Sequence, residues 1–232
     1  MKARLRQLLR DERGTTLAEL MVGLSTGLVV MGGLTMLTVT TMHTTARVST
    51  RVDATQRSRL TLTKVVDQLH SACIAPKVPP IRKESTGSSM RLIHASGSAV
   101  SPVPTLSVIT LSGTTLTQYD YSWKSGTAPF WVFNATPSKT STLMTHVTQM
   151  TPTRPVFTYY GSAAGAVSPT PLVTPLSELD ASRTIHVSIA LKTAPFKGPS
   201  ADEFTPSRIQ GSATLRLTAP SYNKEAPSLP CQ

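Results

Sequence analysis

The sequence predicts an α+β fold, in which a long N-terminal helix is followed by an antiparallel β-sheet. Two observations carry this prediction. An apolar run near the N-terminus passes without proline into a helical pattern that ends before Pro76. Beyond Pro80 the pattern changes to short alternating runs separated by Gly and Pro, which is typical of strands and turns. Because both elements have one apolar side, we expect the sheet to pack on the second half of the helix.

The first half of the predicted helix is long enough to cross a membrane. Residues 20–46 contain no Asp, Glu, Lys or Arg, and a spanning helix needs about 20 apolar residues. The run exceeds the roughly 7–15 residues of a signal-peptide core, so a signal anchor fits better. A basic head precedes it, so we expect the head to remain cytoplasmic and the C-terminal body to lie outside.

The second half of the helix is amphipathic. Its apolar residues approximate one helical face and should meet the sheet: Val48, Val52, Leu62, Val66, Leu69 and Cys73. The absence of proline before Pro76 predicts one helix over about 16–71.

The body reads as a series of strands. Alternating apolar residues predict strands at 91–95, 106–111, 116–123, 130–133, 156–160, 184–191 and 213–218. Ser112-Gly113 joins two of these runs and predicts a hairpin turn. The acidic residues Glu178 and Asp180 fall in a predicted loop. The aromatic residues Trp123, Trp131, Tyr119 and Tyr121 are expected in the core.

The chain is basic, with a net charge of +11. The head, residues 1–14, has five basic and two acidic residues and accounts for +3, which leaves +8 for the rest. Two interpretations are open, namely solubility of a charge-poor chain or attraction to polyanions such as nucleic acid or cell-envelope polymers.

We find no sequence pattern for catalysis, a cofactor or a metal. The five histidines are scattered, and the phosphate-binding, metalloprotease and nucleophile-elbow motifs are absent. Cys73 and Cys231 lack zinc-ligand spacing. Two interpretations of these cysteines are open, namely a disulfide bond between them or two unpaired thiols.

The residues around Glu19 point to a family. Glu19 lies inside the apolar run, where a carboxylate costs about 2.5–3.5 kcal/mol at the centre of a membrane helix. The stretch GTTLAEL, residues 14–20, resembles the class III signal of type IV pilins and type II secretion pseudopilins. That signal has a short basic leader ending in Gly, a Glu at the fifth mature position and a long hydrophobic helix.

The resemblance implies cleavage between Gly14 and Thr15 by a prepilin peptidase, and a pilin-like fold. Mature members of the family usually begin with an N-methylated Phe or Met, whereas this chain would begin with Thr15. The implied organisation is a cytoplasmic leader (1–14), a transmembrane and filament-core helix (15–46), its amphipathic continuation (47–75) and an extracytoplasmic β-rich body (76–232).

The resemblance also implies a function. In this family the glutamate pairs with the N-terminal amine of a neighbouring subunit, which predicts that Glu19 guides assembly. The expected partners are the prepilin peptidase, other pilin subunits, an inner-membrane assembly platform and the membrane. We therefore expect a non-enzymatic subunit, a minor pilin or pseudopilin of a type IV pilus-like filament at the cell surface.

Two alternatives remain open. One is a pseudopilin of a DNA-uptake or secretion machine, whose positive body binds DNA, another polyanion or cargo. The other is a signal-anchored extracytoplasmic binding protein that does not polymerise.

Overall fold

The computed structural model describes residues 16–73, 79–98, 101–127, 130–163, 165–193 and 207–215, and it confirms the α+β prediction. The helices are α1 (Leu17–His70) and α2 (Glu178–Arg183). The strands are β1 (Ser89–Ser98), β2 (Ser101–Ser112), β3 (Thr115–Ser125), β4 (Val132–Phe133), β5 (Lys139–Thr145), β6 (Val147–Gln149), β7 (Phe157–Ala163), β8 (Ala166–Pro171), β9 (Thr184–Thr193) and β10 (Arg208–Thr214).

Helix α1 has the predicted bounds to within one residue. Just beyond the end of the helix, the backbone pairs with β1. The Cys73 amide donates to the Ile93 carbonyl at 2.9 Å, and the Ala95 amide donates to the Ser71 carbonyl at 2.9 Å. The chain divides into two compact units, Met1–Arg51 and Val52–Gln232. Residues of α1 belong to both.

The described part of the body contains two five-stranded antiparallel sheets. In the first sheet the order is β1-β2-β3, and β4 and β5 pair with successive stretches of β3. In the second sheet the order is β10-β9-β7-β8, and β6 pairs with the end of β9. His146, with φ of 56°, is the single residue between β5 in the first sheet and β6 in the second.

One core joins the second half of α1 to both sheets. The first sheet contributes buried residues such as Leu92 and Ile109, and the second contributes Phe157 and Ile189. Helix α1 contributes Val65 and Leu69, with Leu62 and Val66 partly buried against the core, and Ala72, two residues beyond the end of the helix, is also part of this core.

The predicted packing face of α1 was wrong at its start. Val48 and Val52 are 57% and 48% exposed. The contacts with the sheet begin further along, where Ser58 is buried and the Thr61 hydroxyl donates to the Leu143 carbonyl at 2.9 Å.

Several body predictions also need correction. Strands β5, β6 and β8 were not predicted, and Glu178 and Asp180 lie in the first turn of α2, not in a loop.

None of the four aromatic residues expected in the core is buried, because Trp123 is 42% exposed and Trp131, Tyr119 and Tyr121 are half-buried. Trp131 packs instead on a small cluster around Cys73 and Ile93.

Candidate functional site at the start of the long helix

Glu19 closes the N-terminal end of α1 through hydrogen bonds with Thr16. The Thr16 amide and hydroxyl donate to Glu19 Oε2 at 3.2 and 3.3 Å, and the Glu19 amide donates to the Thr16 hydroxyl at 3.4 Å. This reciprocal arrangement is a capping box, in which two amides that lack helical partners are satisfied. This capping role was not predicted, although the Thr-x-x-Glu spacing before an apolar run is its signature.

The Glu19 carboxylate has hydrogen bonds but no counter-charge among the described residues. It is exposed, and no described cationic side chain pairs with it. Its position in the first turn is favourable, since the positive end of the helix dipole stabilises an acid there. The site therefore presents a negative charge at the edge of an apolar helix.

The helix beyond Glu19 exposes an apolar surface. It is the one helix in the described part of the chain that is long and apolar enough to cross a membrane, and no residue of its apolar window is buried. Large exposed side chains follow one another along it, including Leu20, Leu24, Leu28, Met31 and Leu37. Such a surface is stable in hydrocarbon or against other apolar helices.

Every serine and threonine hydroxyl of the uncharged run is bonded within the helix. Thr26, for example, donates to the Val22 carbonyl at 2.9 Å, four residues back. The other hydroxyls that donate to carbonyls three or four residues back are those of Ser25, Thr35, Thr38, Thr40, Thr41, Thr44 and Thr45. The segment therefore carries hydroxyls without leaving them unsatisfied in an apolar environment.

Two glycines continue the row that Glu19 begins. Gly23 and Gly27 follow Glu19 at intervals of four, so the three share one side of the helix. A Cβ built at either glycine meets nothing within 4 Å. The surface beside Glu19 is thus open for close approach of another helix.

The other predicted site residues are only partly described. Gly14 and Thr15, the predicted cleavage pair, lie outside the described residues, and so does Cys231. Cys73 is fully buried beside Ile93 and is disulfide-bonded. Its pairing with Cys231 stays a prediction.

A buried polar network in the first sheet was missed by sequence analysis. Three adjacent strands place His94, Ser107, Gln118 and Asp120 on the face that carries core residues Leu92 and Ile109. The links run from His94 Nε2 to Ser107 Oγ at 2.9 Å, from the Ser107 hydroxyl to Asp120 Oδ1, and from Gln118 Nε2 to Asp120 Oδ1 at 2.6 Å. The only sequence signal is polar residues at core-facing positions of strands.

This network differs from a nucleophilic triad. In a triad the histidine lies between the serine and the acid, whereas here Ser107 lies between His94 and Asp120, and Ser107 is fully buried. Burial lowers the pKa of His94, a shift that the Ala95 carbonyl and Asp120 oppose and that Lys64 adds to. Among the described residues, no group of three or more His, Cys, Asp or Glu side chains is placed to hold a metal ion.

No family model, curated protein or solved structure matches this chain.

Proposed function

We propose that the chain is a membrane-anchored structural subunit, a minor pilin or pseudopilin, that assembles through α1 into a type IV pilus-like filament. A prepilin peptidase would first cleave between Gly14 and Thr15. The observation that carries the proposal is Glu19, an acid without a described counter-charge at the start of a helix whose first half is exposed and otherwise apolar. The proposed role is structural and uses no cofactor.

When this helix leaves the membrane edge, the surroundings of the Glu19 carboxylate change. An unpaired carboxylate is penalised in a low-dielectric environment, and an ammonium group nearby offsets that penalty. Cleavage creates such a group at the new N-terminus of each subunit. A neighbouring subunit at the correct stagger would bring its ammonium to Glu19, whereas an incorrect stagger would leave the charge buried alone.

The rest of the chain supports this order of events. The apolar part of α1 would hold the subunit in the membrane as a single-pass anchor, with the basic head inside and the body outside. The same surface, with Gly23 and Gly27 beside Glu19, would then pack on other helices in the filament. An inner-membrane assembly platform would lift the subunit from one environment to the other.

The capping box gives Glu19 a second role, which the test must separate from charge pairing. Glu19→Gln keeps an oxygen that can accept from the Thr16 amide, since Gln also serves at this position of a capping box. It removes the negative charge. Thr16→Ala does the opposite, because it removes the cap hydroxyl and keeps the acid. The two variants are therefore a matched pair.

The experiment measures the amount of each variant in sheared filaments and in the membrane of cells that carry a type IV pilus machine. We expect all variants in the membrane, and Thr16→Ala in filaments near the wild-type level. The amount of Glu19→Gln in filaments should be at least about tenfold lower, the factor that 1.4 kcal/mol represents. The charge-pairing role is wrong if Glu19→Gln enters filaments normally. A wild-type chain that stays in the membrane and never enters filaments would favour the non-polymerising anchored protein.

A further inference from the structure

The second sheet carries positive charge without any described carboxylate to balance it. No residue in 147–163, 165–171, 184–193 or 207–215 is Asp or Glu. The same segments contain Arg154, Lys192 and Arg208. We refer to these three residues together with Gln210 as the basic face.

Strand register puts two of the cations side by side. Lys192 on β9 is directly opposite Arg208 on β10, and Thr148 on β6 is opposite Lys192 on its other side. Their positions alternate with Leu191 and Ile209, which are buried in the core, so the cations lie on the sheet face that points away from it. Like charges directly opposite one another on neighbouring strands are unfavourable.

The third cation is held next to this pair. The Arg154 guanidinium donates to the sulfur of Met150 at 3.6 Å, and the Gln210 side-chain amide donates to the same sulfur at 3.5 Å. Gln210 is two residues from Arg208 and therefore on the same face. Met150 thus links Arg154 to Gln210 on the strand that carries Arg208.

The charges remain accessible. Arg154, Arg208 and Gln210 are exposed and Lys192 is half-buried, and no described carboxylate pairs with any of them. Lys192 and Arg208 on the sheet, with Arg154 linked to the same strand through Met150 and Gln210, offer cationic donors to anionic oxygens. Guanidinium and ammonium groups are the usual ligands of the nucleic-acid backbone.

We propose that the basic face binds the phosphate backbone of duplex DNA without reading its sequence. A duplex fits better than a single strand because single strands are usually bound through aromatic rings that stack on bases, and the basic face contains none. Tyr160 and His186, whose rings lie on this side of the described part of the sheet, contact each other at a centroid distance of 5.8 Å. The binding function goes beyond filament assembly and does not depend on it.

The test compares the full chain with two triple variants in a non-ionic detergent. The first variant is Arg154→Gln, Lys192→Gln, Arg208→Gln. The matched control is Lys83→Gln, Lys124→Gln, Lys139→Gln, which removes the same charge from exposed positions outside the second sheet. All three proteins keep the same basic head, so any difference between them reports on the mutated positions. Fluorescence anisotropy of a labelled duplex oligonucleotide, measured over a range of salt concentrations, gives the affinity.

We expect the basic-face variant to bind the duplex at least about tenfold more weakly than the control variant at low salt. Its slope of log affinity against log salt should be less steep by roughly three, since each lost phosphate contact contributes about 0.9. Circular dichroism should show that both variants remain folded.

Three outcomes would overturn the proposal. They are equal weakening in both variants, no binding by the wild-type chain at low salt, and equally tight binding of dextran sulfate or of a single strand with the same number of charges. None of them affects whether Glu19 is required in filaments, so this inference and the proposed function fail separately.

Discussion

In the proposed filament, Glu19 serves both the local structure of α1 and assembly. Within the chain it accepts hydrogen bonds from the amide and hydroxyl of Thr16, and these bonds cap the N-terminal end of α1. Those hydrogen bonds leave its negative charge uncompensated, and that charge is what a neighbouring ammonium would recognise. The unusual charge in an apolar run was predicted from the sequence, whereas the helix cap was not. Both features are present in residues 16–19.

His94 is the residue for which the structure predicts a pH effect. Burial lowers its pKa below the ordinary value of 6.5, so the folded chain binds fewer protons than the unfolded chain. The stability from neutral His94 is present above that ordinary value and is lost as the pH falls below it. We expect the urea midpoint of unfolding of the body, followed in detergent, to fall between pH 7 and pH 5.

The control for this prediction is a pair of histidine variants. His94→Gln should reduce the pH dependence, whereas the same change at exposed His70 should leave it in place. The prediction is wrong if the midpoint instead rises on acidification. That result would mean that both ring nitrogens of His94 donate hydrogen bonds in the folded chain, to Ser107 and to the Ala95 carbonyl.

At the scale of elements, α1 and β10 approach closely at Gly211. A Cβ at this position would overlap the Leu62 side chain, lying 2.8 Å from its Cγ. We expect Gly211→Ala to destabilise the body by about 1–3 kcal/mol, the usual cost of overpacking. Chemical denaturation followed by near-ultraviolet circular dichroism measures this change.

A double-mutant cycle identifies the cause of that loss. In a Leu62→Ala background the new methyl group has room, so the Gly211→Ala penalty should shrink by more than 0.5 kcal/mol, above the usual error of additivity. An unchanged penalty would show that Gly211 is required for another reason.

The elements that the sequence predicted well are those with a strong local signal. Helix α1 has no proline, and the β2–β3 hairpin turns at Gly113 with φ of 58°, a conformation that glycine adopts readily. The missed strands lack such a signal. Strand β5, with the sequence KTSTLMT, is mostly polar, and β8 contains two prolines, so both form through pairing with neighbouring strands.

The polar network could not have been predicted for a related reason. Its four residues come from three strands, and only the register of those strands brings them together. The same holds for the basic face, since Lys192 and Arg208 become neighbours through β9–β10 pairing. Periodicity gives the face of each residue but not its cross-strand partner.

For the whole molecule, the two units follow different physical rules. The described part of the first unit exposes apolar side chains and satisfies its hydroxyls internally, as expected in hydrocarbon. The second buries its apolar side chains in a core shared by α1 and two sheets, as expected in water. A chain with both is suited to anchoring a folded body at a membrane, and the proposed filament adds helix association to that anchor.

The most direct test of this account is the N-terminal sequence of the full chain after co-expression with a prepilin peptidase, with an inactive peptidase as the control. We expect a product that begins at Thr15 only with the active enzyme, and an uncleaved chain when Gly14 is replaced by Val. A chain that still begins at Met1 beside the active enzyme would contradict the account, because no ammonium group would then be available at the position needed to pair with Glu19.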